Sequence, residues 1–173
     1  MAREAELGKK IDKSIFPGFQ GGPIMQMVAA KAVAFGEALK PEFREYASQI
    51  IRNSKHLASY LMGKGVKLVT NGTDNHLMLV NVTAKGLTGK QAEHALDSAG
   101  ITVNKNAIPF DPEKPNITSG IRVGTPAVTT RGMKEAEMAV IGDLICDVLK
   151  NHENGEIIRR TKGDVRTLCE SFP

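Results

Sequence analysis

Arg122 lies in an otherwise apolar, strand-like run, Gly120-Ile-Arg-Val-Gly124, with Thr125-Pro126 and a helix-starting Thr129-Thr-Arg-Gly132 close behind. A guanidinium presented this way offers a planar fork that suits a carboxylate held by two parallel, charge-assisted hydrogen bonds. At an effective dielectric constant of ~20 and a separation of ~4 Å, such a pair gains about 4 kcal/mol before desolvation is counted. An internal salt bridge at a strand end is the competing use of the same residue.

Two further segments carry groups that could bind a ligand. In Gly18-Phe-Gln-Gly21-Gly22, the backbone amides of Gly21 and Gly22 precede a helix start and suit an anion such as phosphate; a tight turn without a ligand is the alternative. In Val103-Asn-Lys-Asn-Ala107, two amides and an ammonium could read the edge of a heterocycle, or form an ordinary polar turn. His76 follows Thr73-Asp-Asn75 and reads either as a base or as a histidine hydrogen-bonded at a strand entrance. No Ser-His-Asp order, catalytic carboxylate pair, Walker pattern or Rossmann fingerprint can be assembled. Arginine and amides without an acid, base or nucleophile point to chemistry supplied by a cofactor or by residues outside this sequence.

The elements that must position these groups follow from periodicity and punctuation. A short helix over 5–13 is expected to end at the Pro17–Pro23 loop, which has three glycines and two prolines. Pro23 then opens a helix from Ile24 to about Leu39, apolar round much of its girth and expected to be largely buried. Pro41 opens another helix to about Met62, with Phe43, Ala47, Ile50, Ile51, Leu57, Ala58 and Leu61 recurring at helical spacing. Strands are predicted at 66–70, 76–82, 101–103 and 120–124, the first two forming a hairpin around Asn71-Gly72. Thr88 and Gln91 form a capping box for a helix to about Ala99, and Gly100 closes it. The three prolines of 109–115 mark a mobile loop. Two more helices are predicted, 130–149 and 156–170, the first with Met133, Ala136, Val140, Ile141, Leu144, Ile145 and Val148 facing inward. The order gives an α+β class: a short, mainly antiparallel sheet covered on one face by helices, preceded by a long connecting helix, with domains over 1–40 and 41–173.

Composition narrows the partners. A net charge of +4 is spread among acids rather than gathered into blocks, and aromatic content of 5% leaves no stacking platform, so nucleic acid is not expected. Cys146 and Cys169 lack metal-ligand spacing and read as reduced thiols, and the four histidines form no ligand pattern, so no metal is expected. No membrane span or signal peptide is evident, and the expected location is cytoplasmic.

Phe16-Pro-Gly-Phe-Gln-Gly-Gly-Pro23, Thr73-Asp-Asn-His76, Leu87-Thr-Gly-Lys90, Ile101-Thr-Val-Asn-Lys-Asn106 and Thr118-Ser-Gly-Ile-Arg-Val-Gly-Thr-Pro126 stand in the order and approximate spacing of serine hydroxymethyltransferases. Over essentially its whole length the chain resembles the C-terminal part of that family. The resemblance implies the small C-terminal domain of aspartate-aminotransferase-type (fold type I) enzymes, pyridoxal phosphate as cofactor, and interconversion of serine and glycine with one-carbon transfer to or from tetrahydrofolate. It further implies that Arg122 holds the amino-acid carboxylate. Gly21 and Gly22 would reach the cofactor phosphate of a neighbouring subunit in a homodimer or tetramer. Folate would be contacted by Asn106, by Lys114, Pro115 and Asn116, and by Phe16 and Glu4, although Asn116 stands where many relatives carry an aromatic. The family's cofactor lysine, in a Thr-His-Lys context upstream of Gly-Pro-Arg-Gly-Gly, is absent from this sequence, and its expected place is just before residue 1. Alone, the chain is therefore expected to be inactive and not to bind the cofactor, with no catalytic residue of its own. Met1 and Ala2 match no family motif. A non-catalytic folate- or small-molecule-binding module, or an interaction domain of the same fold, are the other readings.

Overall fold

The structure, a computed structural model, describes residues 3–173; Met1 and Ala2 lie outside the described residues. The chain forms two compact units, the residues up to Phe43 and Arg44–Pro173.

In the first unit, α1 (Ala5–Lys13) runs into a wide turn over Ser14–Phe19, in which the Gln20 amide donates to the Ile15 carbonyl at 2.7 Å. The α-helix ends at Lys13 as expected, and the turn beyond it is a kink: Phe16 and Pro17 leave helical φ/ψ. Then follows α2 (Met25–Ala38), none of whose residues is buried. The expectation of a largely buried helix therefore fails for this chain, which leaves the apolar girth of α2 uncovered, with Phe35 66% and Val33 62% exposed.

The helix α3 (Pro41–Gly63), which belongs to the second unit from Arg44 on, buries Asn53, Ser54, Leu57, Ala58 and Leu61 on one face, and Ile51, expected inside, is exposed. The strands β1 (Lys67–Leu68), β2 (Leu77–Asn81), β3 (Asn104–Asn106) and β4 (Gly120–Gly124) form an antiparallel sheet in the order β1-β2-β4-β3. The third strand lies later than the expected 101–103, because Val103 is drawn into the core while the following residues pair with β4. Between strands sit α4 (Gly89–Ser98), started by the Thr88/Gln91 capping box, and after β4 come α5 (Pro126–Thr130), α6 (Glu135–Lys150) and α7 (Gly155–Glu170).

The helix predicted over 130–149 thus begins only at Glu135, and a separate short helix, α5, precedes it. Gly132 takes a left-handed φ of 93°, where a β-carbon is disfavoured, and Glu137 reaches back to accept from the Lys134 amide at 2.8 Å, which restarts the helix. The restart sets the inward face on Met138, Gly142, Ile145, Cys146, Val148 and Leu149, leaving Ala136 and Val140 exposed, contrary to the sequence reading.

Alternation along the strands decides which sheet face is dry. Met78, Val80, Ile121 and Val123 join Leu57, Leu61, Leu96, Met138, Ile145 and Leu149 in the core beneath the helices. Leu77, Leu79, Asn81 and Arg122 occupy the opposite face and are half-buried or exposed.

Candidate functional site

Arg122 sits on β4, which is paired on both sides: Leu79 of β2 is its partner on one side and Asn104 of β3 on the other. Paired residues share a sheet face, so the three side chains stand together on the face away from the core. The Arg122 Nη2 donates to Asn104 Oδ1 at 3.1 Å. Among the described residues, Arg122 belongs to no ion pair, so the internal salt bridge that its position allowed is not made.

Asn106 pairs with Gly120 and lies on the same face, diagonal to Arg122 at a spacing of about 7–8 Å. Its Nδ2 donates to the Ala107 carbonyl at 2.7 Å, which sets the orientation of the amide. Lys105 alternates to the other side and is tied to Glu93 twice, by its amide at 2.9 Å and its ammonium at 3.2 Å. That amide, helped by the ammonium and opposed by partial desolvation, holds the Glu93 carboxyl below its usual range. The ammonium of the Asn-Lys-Asn segment is therefore spent on a structural pair and does not join the two amides.

The connection from β3 to β4 carries Lys114, Pro115 and Asn116, all exposed. It is knitted rather than loose. Asp111 Oδ2 accepts from the amides of Ile108 at 3.0 Å and Ser119 at 2.9 Å, and Oδ1 accepts from the Glu113 amide at 2.9 Å and the Ser119 hydroxyl at 2.6 Å. Desolvation works against ionisation here, but the Ser119 hydroxyl and the three amides outweigh it and bring the Asp111 carboxyl down to about 2. The Lys114 carbonyl accepts from Ile117 at 2.8 Å and Thr118 at 3.0 Å, fixing a turn at the tip.

The exit of β4 is clamped to α3. Thr125 Oγ1 donates to the Ile50 carbonyl at 3.0 Å, while Asn53 donates to Thr129 Oγ1 at 2.8 Å and to the Met133 carbonyl at 2.9 Å. His76 is exposed, and the hydrogen bond at this strand entrance is made by its carbonyl, which accepts from the Thr125 amide at 3.0 Å.

Glu4, Phe16, Gly21 and Gly22 belong to the unit that ends at Phe43, and all four are exposed. A β-carbon added at Gly21 or Gly22 would meet no atom of this chain within 4 Å. Among the described residues neither amide donates to a backbone group, and the α2 N-cap, Ile24, supplies no side-chain cap. Glycine at these positions is thus not demanded by packing within the chain.

Sequence reasoning missed Asp111 as the organiser of the loop and Asn53 as the clamp. The first left a trace: Asp111-Pro-Glu113 is an Asx-turn pattern, with the carboxylate accepting from the amide two residues on. The second left none, since an asparagine inside an amphipathic helix is ordinarily a solvent-facing residue.

No group of three or more His, Cys, Asp or Glu side chains that could hold a metal occurs among the described residues, and no helix there is long and apolar enough to cross a membrane. The family model for serine hydroxymethyltransferase matches residues 2–145. A serine hydroxymethyltransferase from Microcystis aeruginosa is 54% identical over 173 residues, covering 100% of this chain and 40% of that protein. Another from a Nostoc species is 53% identical over the same span and share. The chain thus spans about 40% of the length of these curated relatives, matching their C-terminal part. With the α+β architecture and the motifs in register, the chain belongs to the serine hydroxymethyltransferase family.

Proposed function

We propose that this chain is the C-terminal part of a pyridoxal-phosphate-dependent enzyme that interconverts serine and glycine and exchanges a one-carbon unit with tetrahydrofolate. The observation that carries the reading is Arg122: an exposed guanidinium on an inner strand, held by a neutral amide and paired with no carboxylate among the described residues. Its fork takes the carboxylate of the amino acid and fixes the orientation of the α-carbon, which converts a loose encounter into a defined geometry.

The residues present fit the cofactor's demands. Gly21 and Gly22 offer undonated amides and no side chain beside the start of α2, a setting suited to the phosphate. When bound, pyridoxal phosphate supplies an electron sink for the bonds at the amino acid's α-carbon. This chain's contribution is to bind and orient. Arg122 grips the acid end, Asn106 turns its amide oxygen toward the pteridine of folate, and Lys114, Pro115 and Asn116 border the folate from the loop that Asp111 holds. By the family resemblance alone, Phe16 and Glu4 are also proposed as folate contacts. The active assembly is a homodimer or tetramer in the cytoplasm, with the cofactor lysine supplied by polypeptide outside this sequence.

Reconstitution tests this. Co-expression of the chain with the remaining, preceding part of a family member is expected to yield serine cleavage and cofactor absorbance, whereas the chain alone yields neither. Arg122→Ala in the reconstituted enzyme should raise KM for serine by about 100-fold or more. Undiminished activity in that variant sinks the reading.

A further inference from the structure

Resting on the reading of Arg122 as the carboxylate-binding group, we propose that Asn104 is a positioning residue for it. Its side-chain oxygen aims the guanidinium and, being neutral, leaves the positive charge for the substrate.

Register places the two residues directly opposite each other on adjacent strands, so their side chains leave the sheet side by side. The contact is specific: Asn104 Oδ1 accepts from Nη2 at 3.1 Å. Nη2 carries two hydrogens and Asn104 engages one, so the second, together with those of Nη1, still forms a fork for an incoming carboxylate. On the other side the partner of Arg122 is Leu79, which offers no polar group.

The kind of acceptor matters more than its presence. Arg52, Arg160 and Arg166 each face a carboxylate, from Glu135 at 3.5 Å, Asp147 at 3.3 Å and Glu170 at 2.9 Å. Arg122, by contrast, faces an amide. An amide oxygen holds a guanidinium by a hydrogen bond without cancelling its charge, whereas an aspartate in the same place would form the bidentate pair itself and compete with the substrate at an effective concentration no free amino acid reaches. The near-isosteric difference between Asn and Asp at position 104 therefore separates an oriented, available arginine from an occupied one. The carboxylate that β3 does engage, Glu93 of α4, is held by Lys105, which alternates to the opposite face of the sheet.

Three variants of the reconstituted enzyme decide the matter. Asn104→Ala is expected to raise KM for serine roughly tenfold with kcat little changed, the effect of a cation still present but no longer aimed. Asn104→Asp, of nearly the same size, should raise it about 100-fold, and glycine affinity read from the cofactor absorbance should fall in parallel. In an Arg122→Ala background neither substitution should add to the loss. If Arg122→Ala raises KM while both Asn104 variants leave it unchanged, this inference falls and the reading of Arg122 stands. If Arg122→Ala itself leaves KM unchanged, both fall. A readout free of turnover comes from the chain alone: the Arg122 Nη–H protons, one of which Asn104 engages, should exchange with water faster in Asn104→Ala, and an unchanged rate overturns the proposed contact.

Discussion

Asp111 and Ser119, eight positions apart, are joined twice, by the serine amide to Oδ2 at 2.9 Å and by its hydroxyl to Oδ1 at 2.6 Å. The same carboxylate also takes the Ile108 amide, so it ties the departure from β3 to the approach into β4. Substituting Asp111 by Ala should release the intervening residues while the sheet persists. Limited proteolysis is expected to cut within 109–117 several times faster than in the parent chain. Equal cleavage rates in the two proteins would show that the loop is held by something else.

The acidity of Asp111 gives this clamp a pH signature. A carboxyl depressed to about 2 from an ordinary 3.8 contributes stability that is complete above pH 4 or so and fades as pH falls through 2. Thermal unfolding of the parent should weaken across that window more than that of Asp111→Asn, whose amide does not titrate. Parallel pH profiles would contradict the assignment.

Gly89 starts α4 against the entry of β4, and a β-carbon there would collide with the Thr118 hydroxyl and the Gly120 carbonyl. The second of these is backbone and cannot swing away. Gly89→Ala should therefore displace helix from strand and cost about 2–4 kcal/mol, read by urea denaturation. A loss under 0.5 kcal/mol, by the same measurement, would mean that the two elements are not pressed together as described.

Asn53 is wholly buried, and its amide donates to Thr129 and to the Met133 carbonyl while its oxygen accepts from Gln49 at 2.8 Å. Asn53→Ala strands these partners away from water and should cost about 1–3 kcal/mol. Asn53→Asp should be at least as damaging, since an acceptor-only side chain faces the Met133 carbonyl. Chemical denaturation of both variants is the check.

Arg122→Ala should leave stability within about 0.5 kcal/mol of the parent, because the side chain is exposed and forms no ion pair among the described residues. A large loss in the thermal melt would recast Arg122 as a structural residue.

Residues whose neighbours in space are also neighbours in sequence were the readable ones. The Thr88 capping box, the Gly120–Gly124 strand and the helices at 5–13 and 155–170 announce themselves through periodicity and local hydrogen bonds. The break at Gly132 was harder, because apolar spacing on both sides of it imitates one continuous helix until Glu137 is seen to cap a new one. Misplacement of β3 has a similar origin: Ile101-Thr-Val103 has stronger strand propensity than Asn104-Lys-Asn106, yet pairing with β4 decides the matter. At the site, the chemistry of Arg122 was legible, but its partner Asn104 depends on a strand register that no local pattern specifies. The clamp through Asn53 spans 76 positions to Thr129 and was invisible for the same reason.

The sheet's order puts its two shortest strands at its margins, β1 with two residues and β3 with three. Margins so brief give a foreign strand little to zip onto, so the Arg44–Pro173 unit is shielded against edge-to-edge polymerisation by geometry rather than by charge. Self-association of the isolated chain should instead be seeded by greasy side chains ahead of Arg44, such as Phe19 and Leu39, which are 91% and 88% exposed. Removing those two side chains should do more for its colloidal behaviour than any change to the sheet.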